Sequence, residues 1–523
     1  MSANDAAVAA PAPDSPAPDF VIPPHAGLLK VLVVVATIMQ VLDMTIANVA
    51  LPHMRAALGA DQDSISWVLT SYIVASAIAL PACGWLADRI GQRKLYLYSI
   101  VCFVGASVLC GIATNLTEMV LFRVIQGISG AFLSPLAQTV LLDSTPPEKR
   151  GQAMAMFGMG VILGPVLGPI LGAFLTENFN WRWVFFVNVP IGIVAFAGLA
   201  TLLPDKKGTQ RRFDITGFML LAIALGGLQL MLDRGQTEDW FDSGEIVFEL
   251  IVGVSALWIF GVHLATAKNP IYSREMLRNR NLVIGSFMMG VTGFVLTAAM
   301  TLMPIMLQGI FGYPVIDAGL LLAMRGLGVF ITMLLIGRWM HRIDSRLLIG
   351  SGFLIVALCF WDMSHWSLDI SWGQMALNGF IQGIGIGGLF VPITTAAFAT
   401  LPAHLRTDGS GFTNLMRSMG SSIGISVVVT LLSRNTAESH AGIATHLTPF
   451  SLFLDPRLEA LSTRTTEAGM AMLDGEVTRQ AMMIGFLDDF VFMAIVAACV
   501  IPLAFLIGKG KKPDPDEPIH VME

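Results

Sequence analysis

Hydrophobic positions in this chain come as whole runs rather than as stripes. Fourteen apolar stretches lie near 28–52, 65–86, 95–113, 119–141, 152–176, 183–203, 214–233, 245–266, 281–307, 315–337, 347–364, 373–400, 409–433 and 486–508. Each is long enough to cross the ~30 Å hydrocarbon core of a bilayer as a helix. The pattern predicts an all-α integral membrane protein with 14 transmembrane helices, an even number that puts both termini on one side. Loops on that side, with Lys30 and the C-terminal tail, carry 21 of the 31 Lys and Arg residues, against 7 in the opposite loops. Positive charge is retained in the cytoplasm, so both termini are expected there. Residues 1–27, rich in Ala and Pro, are expected to form a disordered cytoplasmic tail, and 509–523 a second tail. The longest link, 434–485, is expected to be an outer loop with an amphipathic helix near Glu467–Met483.

Composition fits a bilayer as solvent. Charged residues make up 13% of the chain and hydrophobic ones 54%, whereas soluble domains carry about 25% charge. The five cysteines all fall inside apolar runs, which points to packing rather than to a disulfide framework.

The chain also repeats itself. Gly84-Trp-Leu-Ala-Asp88-Arg89-Ile90-Gly91-Gln-Arg93 is echoed 253 residues later by Gly337-Arg-Trp-Met-His341-Arg342-Ile343-Asp344-Ser-Arg346. Ile125-Gln126-Gly127-Ile128 returns 256 residues later as Ile381-Gln382-Gly383-Ile384. At that same shift Arg150, Gly164 and Gly168 meet Arg406, Gly420 and Gly424. Three matches in one order imply two related six-helix bundles, 28–203 and 281–508. Between them, 204–280 is a linker with two extra transmembrane helices. Parallel duplicated halves are an architecture of secondary transporters, which rock about a site between the halves.

Five groups of residues carry candidate chemistry. Gly160, Gly164, Gly168 and Gly172 recur every fourth residue, and Pro165 and Pro169 each follow one of them. In water each such Gly costs ~1 kcal/mol and each Pro ~3 kcal/mol; in lipid a small-residue ridge lets two helix backbones approach closely. The ridge serves either a moving contact or simply a tight, kinked helix. Asp43 lies within an apolar span, where a charge normally faces a cavity or a partner. Burial favours its protonated form and a nearby Arg its ionised form, so it is either a proton carrier or a structural acid. Arg123 is the natural partner, on a span whose face continues through Gln126, Gly127, Gly130 and Ser134; whether the two touch stays open. The turn from Gly84 to Lys94 combines a permissive Gly91 with Asp88, Arg89 and Arg93, which suits a breakable cytoplasmic gate or a topology anchor. Arg325 and Arg417 add buried positive charge in the second half. With Arg123 they set three Arg against one clearly embedded acid, a balance that suits lipophilic anions or else backbone hydrogen bonding.

Taken together, these stretches resemble the 14-span drug:proton antiporters of the major facilitator superfamily, most of all the EmrB type. The matching motifs are Leu42-Asp43-x-Thr45-Ile46-x-Asn48-Val49-Ala50-Leu51-Pro52, the loop at 84–94, Arg123-Val-Ile-Gln126-Gly127 and the Gly/Pro segment 160–172. Leu232-Asp233-Arg234-Gly235 followed by Asp239-Trp240-Phe241 agrees too. Met44, Pro169 and His341 depart from the usual residues. The resemblance implies a major facilitator fold of two pseudo-symmetric six-helix bundles plus two extra spans. It makes Asp43 a proton-coupling acid, Arg123 its relay partner, and Gly84, Asp88, Arg89, Gly91 and Arg93 a cytoplasmic gate. The 160–172 ridge would be the contact between halves that gives antiport.

The reading is proton-coupled efflux of amphipathic or lipophilic small molecules, such as drugs, across a bacterial inner membrane. The alternatives are a dedicated exporter of one metabolite, and a receptor or scaffold that transports nothing. No Gly-x-x-x-x-Gly-Lys-Ser/Thr loop occurs, so the proton gradient is the expected energy source, with no cofactor and no metal. No enzyme is expected, since no nucleophile–base pair stands out. The resemblance adds a periplasmic adaptor (membrane-fusion protein) and an outer-membrane channel as expected partners. Nucleic acid is not among them.

Overall fold

In hydrocarbon every backbone N–H and C=O must be satisfied within the segment, so a spanning chain is driven into helices or closed barrels. The computed structural model describes residues 25–61, 64–204, 212–339, 343–446 and 467–508, and it is built from helices and their links. The first half holds α1 (Ala26–Leu58), α2 (Ser64–Ile90), α3 (Gln92–Ile112), α4 (Leu116–Asp143), α5 (Arg150–Asn178) and α6 (Trp183–Leu202). Two extra helices follow, α7 (Ile215–Arg234) and α8 (Gly244–Thr266). The second half holds α9 (Arg280–Gly309), α10 (Val315–Trp339), α11 (Ser345–Met363), α12 (Trp372–Phe398), α13 (Arg406–His446) and α14 (Glu467–Ala504). Thirteen of the described helices are long and apolar enough to span, and α5 is the fourteenth once its bend is allowed. It turns by 40° between Pro165 and Leu167, because Pro removes a ladder hydrogen bond and crowds the preceding turn.

The duplication is visible in the packing. α2 and α4 cross where Gly127 sits against the Tyr72 carbonyl, and α10 and α12 cross where Gly383 sits against the Arg325 carbonyl. Tyr72 and Arg325 are 253 residues apart, and Gly127 and Gly383 are 256 apart. Likewise Gly164 and Gly168 of α5 lie on α1, as Gly420 and Gly424 of α13 lie on α9.

The outer link differs from expectation at one end. Residues 434–446, expected as loop, continue α13, whereas the helix expected near Glu467–Met483 is present as the opening of α14; residues 447–466 lie outside the described residues. No proline occurs from Arg406 until Pro449, and a helix already nucleated extends at one hydrogen bond per residue. The two tails, residues 1–24 and 509–523, and His341 also lie outside the described residues.

The inserted α7–α8 pair is fastened to both halves. Thr70 of α2 donates to Asp233 of α7, and Gln229 of α7 donates to the Ser422 hydroxyl of α13 at 2.8 Å. Within the pair, Arg234 holds Glu245 at 2.5 Å and Glu238 at 3.1 Å.

Candidate functional site

Asp43 is fully buried in the first half, and its carboxylate is met by three donors from three other residues. Arg123 Nη1 reaches Oδ2 at 2.7 Å, Gln126 Nε2 reaches Oδ1 at 2.7 Å, and Asn188 Nδ2 reaches Oδ1 at 2.6 Å. Gln126 returns its own carbonyl to Arg123 Nη1 at 2.9 Å, and Arg123 Nε donates to the Val68 carbonyl at 3.0 Å. The guanidinium lies 4.4 Å from the centre of the Tyr72 ring, a desolvated cation–π contact. Asn188 also bonds the Ser107 hydroxyl at 3.0 Å, which in turn donates to the Phe185 carbonyl at 2.9 Å. Five helices, α1, α2, α3, α4 and α6, thus converge on one carboxylate.

Gln126 follows Arg123 by three residues, so both share a face of α4 and address one target. Two polar atoms of the network stay open, Arg123 Nη2 and Asn188 Oδ1. A buried ion pair that lacks full satisfaction is high in cost if one partner is removed, and it is also the kind of network that a proton or a water can rearrange.

The glycine ridge plays a different part from the one expected. Cβ atoms built at Gly160, Gly164, Gly168 and Gly172 would strike Val34, Val41, Thr45 and Val49 of α1, all in the same half. Thr45 also hydrogen-bonds the Gly164 carbonyl at 3.2 Å, and Pro165 lies at the bend just after it. The ridge is therefore the seam that seats the Asp43 helix. Contact with the second half comes instead from Gly158, which meets Met333 and Phe390. Gly158 sits two residues before Gly160, about 200° round the helix, so one face cannot serve both neighbours.

The halves meet at the end that carries the Lys- and Arg-rich loops. Arg406 of α13 pairs with Asp143 of α4 at 3.0 Å, with the guanidinium 2% exposed. Gln138 accepts from Ser410 at 2.5 Å and from Asn414 at 3.1 Å, and Phe157 stacks on Phe390 at 5.9 Å. The Gly84–Lys94 turn lies beside this closure, for the end of α2 packs on α13. Gly84 is buried and Asp88 half-buried there. Gly91 has φ +92°, a conformation that only Gly adopts without cost. Arg93 donates to the Ala200 carbonyl of its own half, and Arg89 is exposed. Sequence reasoning found this turn but missed Gln138, Asp143, Ser410 and Asn414, which carry the inter-half bonds.

Arg325 and Arg417 do not join Asp43. Arg325 is buried with Nε and Nη1 unbonded, and Arg417 is half-buried in α13. Asp43 is not the only embedded acid, contrary to expectation: Asp489 of α14 is fully buried too. Its signal was an Asp-Asp pair inside an apolar run, and the repeat of Phe185-x-x-Asn188 as Phe486-x-x-Asp489. No cluster of His, Cys, Asp and Glu among the described residues could hold a metal.

Residues 33–425 match the family described as the Major Facilitator Superfamily. Multidrug export protein EmrB of Escherichia coli (strain K12) is 36% identical over 472 residues, covering 88% of this chain and 91% of that one. Fatty acid resistance protein FarB of Neisseria gonorrhoeae is 37% identical over 476 residues, covering 90% and 94%. Two solved structures share the fold. The human organic anion transporter MFSD10 has a TM-score of 0.57 at 15% identity, covering 91% of this chain and 100% of that one. The proton:xylose symporter XylE has a TM-score of 0.59 at 13% identity, covering 90% and 94%. The chain belongs to the major facilitator superfamily and, within it, to the EmrB-type export proteins.

Proposed function

We propose that this protein exports amphipathic small molecules, drugs among them, across the bacterial inner membrane in exchange for protons. The observation that carries the reading is the Asp43 network, a carboxylate 0% exposed and held by Arg123, Gln126 and Asn188. Such an acid is costly to bury in a membrane, which marks it as a functional group. A proton arriving at Asp43 removes the charge that Arg123 answers, and so loosens α1 from α4. The two halves then rock about the centre, opening the Arg406–Asp143 closure as the opposite side shuts. With the Lys- and Arg-rich loops assigned to the cytoplasm, the meeting of the halves at that end supports reading the present conformation as closed toward the cytoplasm.

The substrate class follows from charge. Arg325, buried, and Arg417, half-buried, bring positive charge to the second half with no carboxylate partner among the described residues, which favours lipophilic weak acids among the cargo. The relative named for fatty acid resistance supports that choice. The helical extensions 434–446 and 467–485 are the natural seat for a periplasmic adaptor leading to an outer-membrane channel.

The test is dye efflux from proteoliposomes driven by an imposed pH difference, with a panel of lipophilic anions and cations. Asp43→Asn should abolish the driven efflux while substrate binding persists. Unchanged efflux by that variant overturns the coupling role of Asp43, and a preference for cations overturns the substrate class.

A further inference from the structure

The second half contains a counterpart of the Asp43 network that is taken apart rather than absent. Its sixth helix, α14, packs on α9 and α11, as α6 packs on α1 and α3. Phe185 and Asn188 of α6 correspond to Phe486 and Asp489 of α14, 301 residues on, and all four are buried. Gln126 corresponds to Gln382, also fully buried. Even the sulfur contact is retained, since Cys110 lies 3.6 Å from Gln126 and Met363, 253 residues on, lies 4.0 Å from Gln382.

What has changed is every polar partner. Asn188 bonds Asp43 and Ser107. In the second half α9, the equivalent of α1, carries no acid, and Ser107 is matched by Phe360 at the 253-residue shift. Phe360 stacks on Phe490 at 6.3 Å, and Phe486 and Trp366 complete an aromatic layer around the same turn of α14. Both carboxyl oxygens of Asp489 are left without a hydrogen-bond partner, and so is Oε1 of Gln382. The acidic and basic side chains on the helices packed against α14 are Arg280 on α9, Arg346 and Asp362 on α11, and Arg406, Asp408, Arg417, Arg434, Glu438, His440 and His446 on α13. The neighbour of Asp489 in the chain, Asp488, carries the same sign.

A carboxylate anion without donors or a counter-charge, in an aromatic and aliphatic setting, is far less stable than the neutral acid. We infer that Asp489 is a second proton-carrying acid, holding its proton in this conformation while Asp43 is engaged by Arg123. The inference rests on the proton-coupled reading above for its role in the cycle, but not for its protonation state. When the second half moves, exposure of Asp489 to water lets the O–H proton leave to solvent, and reburial requires it to return.

Infrared difference spectroscopy on the full-length protein in lipid nanodiscs tests the protonation directly. At neutral pH the wild type should show the C=O stretch of a protonated carboxylic acid. Asp489→Asn should remove it, and Asp488→Asn and Asp43→Asn should leave it. A band that survives Asp489→Asn, or no band in the wild type, overturns the inference. Should Asp489→Asn not assemble, Asp489→Glu must keep the band and displace its frequency; an undisplaced band also overturns it. In proteoliposomes, Asp489→Asn should lower the ratio of protons taken up to dye exported while efflux continues, and an unchanged ratio overturns the coupling role. If the wild type moves no dye at all, the transport reading fails by itself, and the infrared band still decides the state of Asp489.

Discussion

The two halves of this molecule share a skeleton and differ in how they handle a buried acid. In the first, Asp43 gathers Arg123, Gln126 and Asn188 within 2.7 Å, and Ser107 steadies the asparagine from behind. In the second, Asp489 and Gln382 occupy matching places, yet an aromatic layer stands where the partners would be. The same helical frame thus yields one cross-linked node and one unlinked node. The contrast teaches that duplication conserves geometry more readily than chemistry. Helix crossings need only small residues at the contact, whereas a polar network needs every member at once.

Removing the arginine breaks the comparison most severely. Arg123→Ala leaves Asp43 as an uncompensated buried charge, a loss of about 3–5 kcal/mol for a broken buried pair. It should appear as a large fall in the thermal midpoint of the purified protein in detergent, and Asp43→Asn in the same chain should restore much of it. Absence of that rescue would mean the loss comes from the Tyr72 stacking contact and not from the charge.

Asn188→Asp sharpens the comparison by making the first half resemble the second at this position. Two carboxylates would then share the place of a 2.6 Å hydrogen bond, and like charges cannot both persist at that range. Activity should fall at neutral and higher pH and recover as pH is lowered, because protonating one acid recreates a donor. A pH profile of driven efflux parallel to the wild type's would refute this. The smallest effect belongs to Ser107→Ala, which removes a support behind Asn188. The net value of such a hydrogen bond is about 0.5–1.5 kcal/mol, visible as a slight drop in thermal midpoint with efflux retained.

Much of this architecture was legible in the amino-acid order, because bilayer thickness forces apolar runs to a fixed length. Asp43, Arg123 and Gln126 stood out since a charge inside such a run needs a reason. Asn188 and Ser107 did not, because neutral polar side chains are ordinary in membrane helices and their role depends on which helices become neighbours. The seam of Gly160, Gly164, Gly168 and Gly172 was readable as a close contact but not as one with α1, since a ridge of glycines names no partner. Gln138, Ser410 and Asn414 were invisible for the same reason: their bonds cross more than 270 residues of chain, and nothing local marks them.

The α7–α8 insertion has a mechanical meaning. It is hydrogen-bonded to α2 through Thr70 and Asp233, and to α13 through Gln229 and Ser422. A strut pinned at both ends cannot stay a bystander when its anchors rotate. It either travels with one bundle and releases the other, or it flexes and stores the work as an elastic restoring torque. In the proposed rocking motion its two pins set the limit of the swing, and they mark where that limit can be loosened.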